Sequence, residues 1–225
     1  MFAGHFGLAA MVKSRERQVP LWALMVATQL LDIMFLVLVP LGVEGFRSVP
    51  GTSGGYGNFI FTADYTHSLV GALGISVAAM LVTMIWWGRR NGLIIGAVVF
   101  SHWILDLLVH RGDLPVLPGN AGSLPRLGLG LWNVPWLSVG LELVLVLAGA
   151  YLYYHAAMQT AIRAERMQTR QASTATATTA TVITATTTAT IPAPAPVSYR
   201  RRAVVASVVM FVCLLGLLLG DVLGV

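Results

Sequence analysis

Charge is what this chain has least of. Only 10% of its 225 residues are Asp, Glu, Lys or Arg, where a soluble domain carries roughly 25%. That scarcity, with 56% hydrophobic residues, excludes an ordinary soluble globule and places the chain in a membrane. Cysteine is nearly absent: Cys213 stands alone in an apolar run, so no intramolecular disulfide can form. Acidic residues are outnumbered, 9 against 14 basic. The basic ones sit in short clusters between apolar spans, as topology signals do, and form no soluble basic face; nucleic acid is excluded as a partner. No cleaved leader is expected, because Lys13, Arg15 and Arg17 follow the first apolar stretch instead of preceding it.

What is present is a series of apolar spans. Residues 1–12 are about half the length a crossing needs and read as a short helix packed into the bundle. Val19 to Val43 is long enough to cross and carries Asp32. Residues 44–63, rich in Gly, Ser and Pro, read as a loop. A second span runs from about His67 to Trp87, with Asp64 or Thr66 as its expected cap. Gly88-Arg89-Arg90-Asn91 makes a tight basic turn into a third span ending at His110. After a Gly/Pro/Leu loop, a fourth span covers about Leu131 to His155 and holds Glu142.

The expected architecture is therefore an all-α integral membrane bundle. Residues 1–158 form a four-span core with its short amino-terminal helix. Residues 159–202 form a basic, then Thr/Ala/Pro-rich, flexible tether, with too few large side chains to bury a core. Residues 203–225 add a fifth span, with Asp221 solvated at its end. Eleven Lys and Arg fall on one side of this arrangement and only Arg47, Arg111 and Arg126 on the other. The positive-inside rule puts the amino-terminal basic segment and the tether in the cytoplasm and the carboxyl terminus outside.

The stretch SHWILDLLVHRGD, Ser101 to Asp113, spaces His102, Asp106 and His110 four residues apart. Such steps drift only about 40° around a helix, so the three share one face. Ionisable groups in an apolar helix are costly unless paired, hydrated or bound to metal. At about 1.5 Å per residue, Asp106 and His102 lie roughly 6 and 12 Å below His110. The same arithmetic sets Asp32 in the outer half of its span, His67 near the outer surface, and Glu142 and His5 near mid-depth. Separate spans thus deliver polar residues to overlapping levels, which points to one shared site open to the outer face.

Imidazole and carboxylate together suit Zn²⁺ or a similar divalent ion. His5, Asp32, His67, His102 and Asp106 are the expected ligands. His110 is a further ligand or a proton carrier, and Asp64 or Glu142 is the expected base. His155, among Tyr151, Tyr153 and Tyr154, reads as interfacial.

Gly4-His5, Leu31-Asp32, Thr66-His67-Ser68 and Ser101-His102 with Leu105-Asp106 carry a resemblance. Over residues 1–155 the chain resembles a bacterial family of inner-membrane metal-dependent hydrolases, some described as LexA-linked. The order His, Asp, His, His-x-x-x-Asp is also similar to zinc-dependent phospholipase C and the P1-type nucleases. The resemblance implies a zinc-bound site acting on a phosphoester or phospholipid. Two elements of the soluble enzymes are different here: Met1-Phe2 stands where they begin with a ligating Trp, and Ser138 where a His precedes Glu142 by four residues. Two other readings fit the composition. A small transporter would use Asp32, Glu142 and the histidines to relay protons or hold a cation. A structural protein would use them only to join helices.

Overall fold

The computed structural model describes residues 1–52, 56–182 and 198–223, without the side chains of 175–182. Helix dominates, and among the described residues three helices are long and apolar enough to cross a membrane. The elements are α1 (Phe2–Arg15), α2 (Leu21–Thr28), α3 (Leu30–Leu38), β1 (Gly45–Ser48), β2 (Phe59–Thr62), α4 (Leu69–Val109), α5 (Pro135–Val182) and α6 (Tyr199–Leu223), with two short 3₁₀ turns between α4 and α5.

The stretch Val19 to Val43 is not one straight helix. α2 and α3 meet at 51°, and Gln29 at the break (φ −109°, ψ 7°) gives its side-chain amide to the Phe2 carbonyl at 3.1 Å. α4 is broken at Gly88, where φ 82° and ψ 167° suit only glycine. Its two arms fold back on each other. A Cβ on Gly92 would lie 2.3 Å from the Met84 side chain, and one on Gly96 2.8 Å from Met80, so the antiparallel arms touch through missing side chains. The expected basic turn is this reversal. The first arm's cap is neither Asp64 nor Thr66 but Ser68, whose hydroxyl accepts the Gly71 amide at 3.1 Å.

Residues 44–63 hold a short antiparallel hairpin, which corrects the loop reading and adds two four-residue strands to a mostly helical fold. Phe46 pairs with Phe61 and Ser48 with Phe59. Phe59 and Phe61 alternate on one face and meet Phe46 at ring separations of 5.5 and 6.1 Å. The period-two pattern is two strand residues long on each side, too short to stand out among glycines.

α1 runs alongside α5 in the same direction. Gly4 faces Glu142 and Leu145, and Gly7 faces Leu145 and Gly149. α6 lies antiparallel to α5: Arg200 pairs with Glu165 at 2.7 Å at one end, while Asp221 reaches the cavity at the other. α5 continues through the basic segment to Val182, with Ser173 and Thr174 hydroxyls bonded back to the carbonyls of Thr169 and Arg170. Alanine's helix preference favours this continuation. Of the rest of the expected tether, 183–197 lies outside the described residues, and 199–202 form the start of α6.

Two unlike ends result. At one, Arg90 pairs with Glu16 at 2.6 Å and Lys13 donates to the Arg17 and Val19 carbonyls. The other carries the hairpin, the end of α4 and the end of α6.

Candidate metal centre

The α4 motif enters this second end with His102, Asp106 and His110 on one face, all buried. Around Asp106 three other elements converge. α1 brings His5 Nε2 to 3.2 Å from Asp106 Oδ1 and stacks its ring on His102, centroids 3.9 Å apart. The segment before α4 brings His67 Nε2 to 3.6 Å from Asp106 Oδ2. α3 brings Asp32 Oδ1 to 3.3 Å from His67 Nε2 and 3.5 Å from His102 Nε2. His102 Nε2 is itself 3.1 Å from Asp106 Oδ2, and His110 Nε2 is 3.7 Å from the same oxygen. All five expected ligands thus meet. They form two groups, His5–His102–Asp106 and Asp32–His67–His102, each with its donor atoms within 4.8 Å of one another. Only Asp32 is open, with 31% of its side-chain surface exposed to the adjoining cavity.

The far side of each ring decides what the near side presents. His102 Nδ1 lies 2.5 Å from the Thr28 carbonyl, which can only accept, so this nitrogen carries the proton. His110 Nδ1 lies 2.7 Å from Asp113 Oδ1 and donates to it. His67 Nδ1 lies 2.8 Å from Thr66 Oγ1, whose own proton goes to Glu44 Oε2 at 2.7 Å. Glu44 is fixed in turn by the amides of Tyr65 and Thr66, at 2.7 and 2.9 Å. The network therefore assigns a proton to Nδ1 in all three rings and turns three Nε2 atoms toward Asp106 and Asp32.

An Nε2 aimed at a carboxylate needs positive charge between the two atoms, which either a ring proton or a metal ion supplies. Ring nitrogens held from behind by a carbonyl or carboxylate are the usual setting of metal-binding histidines. The spacing also fits: a tetrahedral ion with bonds of about 2.05 Å sets its ligand atoms roughly 3.3 Å apart. His102 Nε2 and His5 Nδ1 are buried with no hydrogen-bond partner. The donor set thus passes the test for a divalent ion.

Other expected residues are placed differently. Asp64 is not brought into the cluster; Arg126 grips both its oxygens, at 2.7 and 3.1 Å, and also donates to the Asp113 carbonyl. Its role as base is therefore dropped. Glu142 is fully buried one layer back, accepting the Gly4 amide at 2.9 Å and the Tyr56 hydroxyl at 3.0 Å. Tyr56, not Glu142, lines the cavity. Burial, with the Glu142 carboxylate beside it, holds that hydroxyl's pKa above the usual phenol range. Asp221 is not simply solvated: it lines the same cavity, and its Oδ2 is buried without a hydrogen-bond partner. His155 stays outside, its ring tilted against Tyr151 at a centroid separation of 4.3 Å.

Glu44, Thr28, Asp113, Tyr56 and Asp221 are the residues that sequence reasoning missed. Asp113 alone had a local signal, three residues after His110. Burial opposes its ionisation, yet the His110 and Phe61 hydrogen bonds hold its carboxyl below the usual carboxylate range.

Comparison with protein-family models, curated proteins and solved structures finds no match for this chain.

Proposed function

We propose that the chain is a membrane-embedded, metal-dependent hydrolase acting on a phosphoester. The proposed topology has five crossings: bent α2–α3, the two arms of α4, α5 and α6. The basic end is cytoplasmic, as in a bacterial inner membrane. One observation carries the catalytic reading: three buried imidazoles, each with Nδ1 held from behind, aim Nε2 at two carboxylates. Helix glue alone needs no such convergence.

His5, Asp32, His67, His102 and Asp106 would hold the ion, with zinc the best match to the donors. When bound, such an ion supplies Lewis acidity that polarises a phosphoryl oxygen and acidifies water. Hydrolysis adds water across one P–O ester bond and releases an alcohol. The chain's own part is positioning and proton traffic. His110 faces the cavity with Asp113 behind it and can carry the proton between water and leaving oxygen. Tyr56 faces the same space as a neutral hydroxyl donor, with Glu142 fixing its direction. Asp113 and Glu142 are positioning residues. A transporter reading gains less support, because these groups gather at one end and the described residues at the basic end offer surface ion pairs instead.

Detergent-purified protein should contain stoichiometric divalent metal and hydrolyse members of a phosphomonoester and phosphodiester panel. Chelation should abolish turnover and added zinc or manganese should restore it. Metal-free protein, inert with every divalent ion added back, would overturn the proposal.

A further inference from the structure

The cavity before the cluster measures about 520 Å³. That is the size of a pocket for a drug-sized molecule, many times the roughly 30 Å³ of a water. Its two ends differ. Asp32, His67, Asp106 and His110 stand at one, and Phe35, Phe46, Phe59 and Phe61 form an aromatic wall leading away from them.

Its surroundings differ as well. Over the cluster the loops are laced shut. Arg111 joins the hairpin to the next loop through the carbonyls of Gly57 and Trp132 and the Asn133 side chain. Asp113 takes the Phe61 amide at 3.0 Å, and Arg126 clasps Asp64. The flank is not closed in this way. α3 packs on α2 and α4, and α6 on α1 and α5. Between α3 and α6 the cavity wall is made of Phe2, Leu36 and Phe46, which are 40%, 63% and 52% exposed. A water-facing mouth would be rimmed by polar groups. Apart from Asp221 at the end of α6, this rim is apolar and continues the exposed apolar surface of α3.

We infer that the site takes an amphiphile sideways from the bilayer, through the gap between α3 and α6. Its phosphate end meets the His/Asp cluster, and its hydrocarbon chain lies along Phe35, Phe46 and Phe59. This rests on the hydrolase reading for the phosphate end, whereas the route rests on the cavity's shape alone.

The test is photolabelling in phosphatidylcholine proteoliposomes with a long-chain alkyl phosphate bearing a diazirine in its chain. Label should concentrate on peptides containing Leu36 and Phe46. Excess unlabelled long-chain phosphate should cut it at least tenfold, and inorganic phosphate should not. Leu36→Trp should reduce labelling several-fold, while Val144→Trp, on an exposed face of α5, should leave it unchanged. Label spread evenly over the lipid-facing helices, or competed equally by inorganic phosphate, would overturn the inference even if Leu36→Trp failed to fold. Specific labelling without turnover of any phosphoester keeps the route and removes the hydrolase reading. Turnover of p-nitrophenyl phosphate without specific labelling does the reverse.

Discussion

His102 has the least freedom of any side chain in the site. Its Nδ1 is spent on Thr28, its ring is stacked on His5, and its Nε2 belongs to both ligand groups. His102→Ala and Asp106→Ala should therefore each empty most of the metal site, read by elemental analysis, while leaving the helical spectrum in place. His155→Ala should change neither. The Thr66 hydroxyl touches no expected metal position, yet it relays Glu44 to His67. Thr66→Val should weaken metal affinity about 10- to 100-fold, as loss of a backing partner does. Thr66→Ser should restore it. Unchanged affinity in the valine variant would mean that the relay does not orient the ring. The four-residue spacing within α4 was legible because helix periodicity is a local property. Glu44 was not, because its role depends on a chain reversal that brings it beneath Tyr65 and Thr66.

The elements hold these residues by close approach of backbones. A Cβ on Gly149 would lie 2.3 Å from the Gly7 carbonyl oxygen, and one on Gly7 2.6 Å from that of Leu145. Side chains here force α1 away from α5, at about 1–3 kcal/mol by analogy with overpacked cores. Gly149→Ala should thus lower the thermal midpoint in detergent and loosen metal binding together, because α1 carries His5. Gly140→Ala is the control, since its Cβ meets nothing within 4 Å. Equal effects from both would detach the α1–α5 crossing from the site. Apolar length announced most of these helices. It did not announce the bend at Gln29 or the hairpin, because each is fixed by distant partners: the Phe2 carbonyl for Gln29 and the Asp113 carboxylate for β2.

On the scale of the molecule, the His/Asp cluster and most of the Lys and Arg sit at opposite ends. Cysteines introduced one at a time into a Cys213→Ser background should give labelling from the cytoplasmic side at Arg17 and Arg166, and from the outer side at Gly42. The reverse pattern would invert the proposed topology. Depth matching across spans was legible because helix rise is constant; Asp221 was missed because nothing local says that α6 leans on α1. That parallel pairing of α1 with α5 also sets a timetable. Gly4 and its acceptor Glu142 are 138 positions apart. At 5–20 residues per second, the ribosome takes roughly 7–30 s to supply the partner. For that interval a short apolar segment bearing His5 must wait without its berth, sheltered by the insertion machinery or lying in the headgroup layer. A helix made well before its partner is thus among the last to be seated, and the site it completes is absent until Glu142 has been added.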